Sequence, residues 1–223
     1  MTADSDDLRD PCWPIIRHSD ERIAPPHRTV RESQAFFAVR AAGWDAKFGD
    51  DLPAYAAAVA HARIATDSTA LDLGCGTGRA LPALREAVGP GGLVIGLDVT
   101  PQMLHAVRTA DRARGAALVL ADAHCLPLAD SVIDTVFAAG LLTHLADIHL
   151  GLAEIARVTR PAGQLVLFHP TGRAALAARH GRTLRPDEPL AEDRLAGHLA
   201  AAGWSLDYYD DPPHRFLALA TRR

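Results

Sequence analysis

The chain reads as an α/β protein: a seven-stranded, mostly parallel sheet with one antiparallel strand, helices on both faces, and a helical cap at the N-terminus. Three observations predict this. From Thr69 onward, strand-like apolar runs alternate with helix-like segments of about 8 to 12 residues, the pattern of βαβ units. The first run passes straight into Leu71-Asp72-Leu73-Gly74-Cys75-Gly76-Thr77-Gly78-Arg79, where three glycines at alternate positions precede a helix. The last two runs are joined only by Asp210-Asp211-Pro212-Pro213 and its immediate neighbours, too short a connection for a parallel return, so they should pair antiparallel.

Element by element, residues 69–73 form a short buried strand, and residues 79–88 an amphipathic helix that tolerates Pro82 in its first turn. Gly89-Pro90-Gly91-Gly92 breaks that helix. Residues 93–97 are the next strand, followed by a helix from Pro101, a proline at the first helical position, to about Arg112. Residues 117–121, 132–138 and 164–168 read as further strands, with a helix over 150–159 that stops at Arg160-Pro161-Ala162-Gly163. A helix over 191–202 ends at Gly203, and strands over 204–209 and 215–221 close the sheet. Residues 1–66 carry no strand signal. There, 33–42 and 53–65 look helical and Pro25-Pro26 marks a loop, so 1–66 is read as a cap on a 67–223 ligand-binding unit. Whether the cap only covers the sheet or also lids a ligand site stays open.

Composition narrows the function. At 223 residues, 48% hydrophobic and 22% charged, the chain is most simply one domain with an ordinary core. No apolar run approaches the roughly 18 to 20 residues that cross a bilayer. The acidic, polar start lacks the apolar segment of a signal peptide. Cys12, Cys75 and Cys125 have no metal-type spacing, so a reducing, cytoplasmic setting and no bound metal are expected. A net charge of −4 argues against nucleic-acid binding. Lys47 is the sole lysine, so Schiff-base chemistry could rest on it alone.

The glycine turn lets a ligand lie against bare main chain at a helix N-terminus. Dinucleotide sites favour G-x-G-x-x-G, whereas the spacing here is G-x-G-x-G with Asp72 two residues before the first glycine. That carboxylate would repel a pyrophosphate and suits a ligand with a cationic amino-acid end, which disfavours a nicotinamide oxidoreductase. Asp98 ends the neighbouring strand and can accept from both hydroxyls of a ribose, or it can cap the helix at Pro101. Asp122-Ala123 follows the third strand, where a carboxylate can accept from an adenine amino group or simply sit in a solvated turn.

In order along the chain, five elements carry a family resemblance: residues 71–78, Gly96-Leu97-Asp98-Val99-Thr100-Pro101-Gln102-Met103-Leu104, Ala121-Asp122-Ala123, Ile133-Asp134-Thr135-Val136, and Glu154 through Leu165. Together they resemble the class I, Rossmann-like S-adenosylmethionine-dependent methyltransferases, and among them the ubiquinone/menaquinone-biosynthesis type that acts on small molecules. The resemblance implies that Gly74, Gly76 and Gly78 pass under the methionine part, that Asp98 holds the ribose, that Met103 packs on the adenine and that Asp122 bonds its amino group. The cofactor-binding set is then Asp72, Gly74, Cys75, Gly76, Thr77, Gly78, Asp98, Val99, Met103, Asp122, Ala123 and Ala139. Pro161-Ala162-Gly163 replaces the commoner Pro-Gly-Gly.

The implied activity is methyl transfer from S-adenosylmethionine to the O, N or C atom of a small-molecule acceptor, leaving S-adenosylhomocysteine. A non-catalytic cofactor-binding regulator, or methylation of protein or RNA, are the alternatives. His144, after the fourth strand, is the candidate base, since imidazole titrates near neutral pH; the other reading is a turn-shaping role. His169 could line the acceptor pocket or merely end a strand, and Trp44 and Phe48 could cover the ligand or simply pack. Arg173, Arg179, His180, Arg182 and Arg185 form either a site for an acidic acceptor or a solvated helix and loop.

Overall fold

The computed structural model describes residues 29–223; the N-terminal acidic stretch, Cys12 and the Pro25-Pro26 loop lie outside the described residues. The strands are β1 (Thr69–Leu73), β2 (Leu93–Asp98), β3 (Ala116–Leu120), β4 (Ile133–Ala139), β5 (Thr159–His169), β6 (Trp204–Asp210) and β7 (Phe216–Arg222). They form one sheet in the order β3-β2-β1-β4-β5-β7-β6. All pairings are parallel except those of β7, which runs antiparallel to both β5 and β6. Seven strands with one antiparallel member match the sequence expectation. Strand order reverses between β1 and β4, so the chain leaves their C-terminal ends towards helices on opposite faces, Leu81–Val88 and Ile148–Val158, opening the crevice where such sheets bind ligands.

The helices are α1 (Val30–Ala38), α2 (Trp44–Phe48), α3 (Leu52–Ala62), α4 (Leu81–Val88), α5 (Pro101–Thr109), α6 (Ile148–Val158), α7 (Arg173–Arg179) and α8 (Glu192–Ala201). The sheet is buried on both faces, which is why its central strands read as unbroken apolar runs. One face packs Leu71, Leu73 and Ile95 against Leu152 and Ile155 of α6 and Leu195 and Leu199 of α8. The other packs Val94, Phe137 and Phe168 against Val59 of α3, Leu84 of α4 and Val107 of α5. Each such side chain, fully buried, stabilises the fold by about 1.5–3 kcal/mol. Trp204 is fully buried at the start of β6, and its Nε1 donates to the Leu152 carbonyl at 3.3 Å.

Three elements depart from the sequence reading, each for a local reason. The helix after β2 stops at Thr109, not near Arg112, because Asp111 turns left-handed at φ 55°. β5 begins at Thr159 instead of residue 164. Ile133 pairs with Thr159 and Thr135 with Gln164, so residues 160–163 bulge out around Pro161, which has no N–H for the ladder, and Ala162 at φ 61°. The first helix spans Val30–Ala38, three residues earlier than read, because Thr29 and Glu32 form a capping box. A five-residue helix, α2, then follows a 3₁₀ turn at Ala41–Gly43.

The Glu154-to-Leu165 stretch acquires a structural role. Glu154 Oε1 accepts from Leu126 N at 2.7 Å, and Arg157 donates to the Leu126 and Leu128 carbonyls and to Asp130. These bonds staple the loop after β3 onto α6. The Arg157–Glu154 pair holds the glutamate below the usual carboxylate range even though burial pushes it up.

Candidate functional site

The glycine turn leaves β1 at the C-terminal edge of the sheet and delivers the chain to α4. Gly74, Gly76 and Gly78 all sit at positive φ, at 70°, 53° and 78°. At Gly74 a Cβ would come within 2.9 Å of Leu141 Cδ1, and at Gly78 within 2.9 Å of Val107 Cγ1. Positive φ demands glycine at all three; a Cβ at Gly78 would also crowd Val107 and Leu81, at Gly74 it would displace only the end of Leu141, and Gly76 faces open space. Gly74 N and Cys75 N both donate to the Leu97 carbonyl, at 2.8 and 2.9 Å, which locks the turn against β2.

Asp98 is 8% exposed, and its two oxygens tie the glycine turn to the start of α5. Its Oδ2 accepts from Gly76 N at 2.8 Å, inside the turn, and its Oδ1 accepts from Thr100 N at 2.8 Å, the residue that opens α5. Burial pushes its carboxyl up, against the pull of these backbone donors.

Asp72 is the most unusual group. It is 2% exposed, and its Oδ2 is buried without a hydrogen bond. Burial first, and the neighbouring Asp98 charge second, push its carboxyl up to about 8. A buried carboxylate oxygen without a donor is costly unless something supplies one. The residues therefore fit a ligand that brings a cationic donor, such as the ammonium of an amino acid. Cys75 is a free, buried thiol, pushed well up by the same burial and by Asp72, so it is inert packing and not a nucleophile. Met103 on α5 is 2% exposed yet belongs to neither sheet-face cluster, and Ala139 ends β4 half-buried.

Asp122 follows β3. Its Oδ1 accepts from His124 N at 3.0 Å and meets His124 Nδ1 at 2.7 Å, while Ala123 is 9% exposed beneath the turn. Burial pushes the Asp122 carboxyl up, but the His124 bonds outweigh this and hold it below the usual range.

The N-terminal helices reach directly onto this edge. Asp45 of α2 is a hub: its Oδ1 accepts from Thr77 Oγ1 at 2.7 Å and from Arg79 Nε and Nη2 at 3.2 and 3.1 Å. Its Oδ2 accepts from Arg112 Nη1 at 2.6 Å, and the same nitrogen donates to the Thr77 carbonyl at 3.0 Å. Arg79, 5% exposed, also pairs with Asp51. Burial pushes the Asp45 carboxyl up, yet the Thr77, Arg112 and Arg79 bonds leave it below the usual range. On α1, Gln34 Nε2 donates to the Val99 carbonyl at 2.7 Å, and Phe37 meets Trp44 and His144 edge-on at 5.5 and 5.1 Å. The cap thus touches the ends of β1, β2 and β4 together. Sequence reading singled out Trp44 and passed over Asp45, Gln34, Arg79 and Arg112.

Of the histidines, His144 lies exposed in the 3₁₀ turn Leu142–His144 against Phe37. His169 ends β5, its Nδ1 engaged by Thr171 N at 3.0 Å and Thr171 O at 2.8 Å, and burial lowers its pKa, so its ring is neutral at physiological pH. In the arginine group after β5, Arg173 Nε pairs with Asp211 while its Nη1 is buried without a hydrogen bond, Arg182 pairs with Glu188 and Arg185 with Asp187, and Arg179 donates to Thr171 Oγ1. The exposed Arg182 and Arg185 pairs fit a solvated loop, whereas the Arg173 side chain is largely buried. Among the described residues, no group of three or more His, Cys, Asp or Glu side chains could hold a metal ion, and no helix is long and apolar enough to cross a membrane.

Residues 71–167 match the family model described as a methyltransferase domain. Demethylmenaquinone methyltransferase of Thermus thermophilus is 37% identical over 158 residues, covering 69% of this chain and 71% of that one. An uncharacterized 37.1 kDa protein of a Streptomyces fradiae transposon is 44% identical over 103 residues, of which this chain spans only 30% of the length. A crystal structure of a SAM-dependent methyltransferase from Aquifex aeolicus superposes with a TM-score of 0.57 at 23% identity, covering 71% of this chain and 84% of that one, a likeness of fold.

Proposed function

The chain belongs to the class I S-adenosylmethionine-dependent methyltransferases, and from that premise we propose that it transfers a methyl group from S-adenosylmethionine to a small-molecule acceptor. The observation that carries the reading is the orphaned Asp72 Oδ2 buried beside the glycine turn, an acceptor matched to the ligand's ammonium. When bound, S-adenosylmethionine supplies a methyl group already activated on a sulfonium sulfur.

The rest falls to the chain's own residues. Asp72 holds the ammonium, and Gly74, Cys75, Gly76, Thr77 and Gly78 offer bare backbone to the amino-acid part. Asp98 has lone pairs beyond the two used by Gly76 and Thr100, and these accept from the ribose. Val99, Met103, Ala123 and Ala139 flank the adenosyl group, and Asp122 accepts from its amine. Residues of the cap, tied down through Asp45 and Gln34, serve as a lid that excludes water and narrows the site to a small acceptor. Phe37 and Trp44 give that lid an apolar surface beside His144, which takes the acceptor's proton.

The test is methyl transfer from labelled S-adenosylmethionine across a panel of phenols, quinols, amines and carboxylic acids of drug-like size. Acceptor-dependent release of S-adenosylhomocysteine is the expected result. Tight cofactor binding with no transfer to any acceptor would instead favour a non-catalytic binding protein.

A further inference from the structure

His124 joins two loops of the site that the sequence leaves unconnected. Asp122 opens a tight turn in which Cys125 N donates to the Asp122 carbonyl at 3.1 Å and His124 N donates to Asp122 Oδ1 at 3.0 Å, an Asx turn. The imidazole then folds back, and Nδ1 meets that same Oδ1 at 2.7 Å. Its other nitrogen, Nε2, lies 3.2 Å from Asp147 N and 3.1 Å from Asp147 O. Asp147 is the N-cap of α6, its carboxylate accepting from His149 N and Leu150 N, and it stands three residues beyond His144.

The consequence lies at Asp122. A carboxylate in a turn can swing about its last torsion and present either oxygen, so a ligand that needs one of them must order it on binding. Here Oδ1 is fixed by two donors on His124, and no hydrogen bond reaches Oδ2 among the described residues. Oδ2 is the acceptor left for a ligand's donor. The ring keeps this grip in either charge state: neutral, Nδ1–H donates to Asp122 and Nε2 accepts from Asp147 N–H; protonated, Nε2–H donates to the Asp147 carbonyl. The charged groups that face it are Asp122 and Asp147.

We propose that His124 is a positioning residue that locks Asp122 with Oδ2 presented to the exocyclic amine of a purine, and so sets the site's preference for a 6-amino over a 6-oxo purine. The inference rests on the adenosyl-cofactor reading above. A 6-oxo group would set an acceptor oxygen against the carboxylate, leaving both unpaired.

The test is calorimetric titration of the full chain with S-adenosylhomocysteine and with its inosine counterpart, S-inosylhomocysteine. It is run on the wild type, His124→Leu and His124→Asn, each checked for an unchanged melting curve. The wild type should prefer the adenosyl ligand by roughly 10- to 100-fold, the scale of one hydrogen bond to a charged group. His124→Leu should cut that preference to within about threefold, and His124→Asn, whose amide nitrogen stands near the position of Nδ1, should restore most of it. A merely structural role would weaken both ligands equally, so an unchanged preference in a folded His124→Leu overturns the proposal. If that variant does not fold, His124→Asn is compared with His124→Gln, whose amide reaches towards Asp147 instead; equal preference in the two overturns it. A wild type that binds neither ligand contradicts the cofactor reading itself and removes the inference with it.

Discussion

Lowering the pH from 7 to 6 should weaken binding of S-adenosylhomocysteine about tenfold, because the ligand's ammonium needs Asp72 ionised. Asp72 is buried at 2% exposure beside Asp98, with Cys75 from the turn and Tyr55 from α3 also near, and its carboxyl is pushed up to about 8. With that value only about 10% of the empty protein carries the charge at pH 7 and about 1% at pH 6. Binding must therefore release close to one proton, and affinity rises with pH until the group is ionised. The same displacement acts on stability with a definite sign. The folded-state value lies above the unfolded one, so the cost of ionising Asp72 is absent below about pH 4, grows as pH rises towards 8 and is complete above it. Ionising Asp72 in the folded protein then costs on the order of 5 kcal/mol. Asp72→Asn should then melt higher than the wild type at pH 8, converge with it near pH 4, bind the ligand at least tenfold more weakly, and lose the pH slope. The assay is titration calorimetry at pH 6, 6.5, 7 and 7.5 in two buffers of different ionisation enthalpy, which counts the protons. A pH slope that persists in Asp72→Asn would refute Asp72 as its source, because His124 keeps its bonds to Asp122 and Asp147 in either charge state. A wild type with pH-independent affinity and no proton release would refute the assignment of Asp72 to the ammonium.

Other perturbations reach the remaining parts of the site. Asp45→Ala removes the acceptor of Thr77, Arg79 and Arg112 at once; it should speed hydrogen exchange across residues 30–50 and raise the ligand's dissociation rate about tenfold, and unchanged exchange would disprove the latch. His144→Ala should lower kcat by roughly 10²-fold with little change in cofactor KM, the scale of general base catalysis, whereas near-wild-type turnover across pH would leave the residue a turn-former. Glu154→Ala strips the acceptor from Leu126 N and Arg157 and should cost about 2 kcal/mol in denaturant unfolding, with Glu154→Gln milder.

What the sequence made legible follows from where each signal is stored. The central strands were readable because a parallel sheet covered on both faces writes them as largely apolar runs, Leu71 and Val136 being buried alike. The antiparallel strand was readable because the connection before it is short. The start of β5 was not, because the bulge at residues 160–163 hides pairing that begins at Thr159. Helix α2 has too few turns to show a period. The glycine turn and Asp72 stood out because their chemistry is local, within one turn of chain, and Asp98 because it ends an apolar strand just before Pro101, although its partner Gly76 lies 22 residues back. Asp45 did not, since its meaning lies in Thr77, Arg79 and Arg112, which stand 32, 34 and 67 residues away. His124 was invisible for a related reason: a histidine in a turn carries no signal until Asp147, 23 residues on, is brought to its second nitrogen. In the charged run after β5, Arg182 and Arg185 have acidic partners, Glu188 and Asp187, within six residues, whereas the partner of Arg173, Asp211, lies 38 residues on.

The central claim, an adenosyl-cofactor site on the glycine turn, is tested most directly by titrating the full chain with S-adenosylmethionine, S-adenosylhomocysteine and NAD. Binding of the two adenosyl ligands with micromolar affinity, lost in Asp98→Ala, with none for NAD, is the result this account requires. Binding of NAD in place of the adenosyl ligands would contradict it.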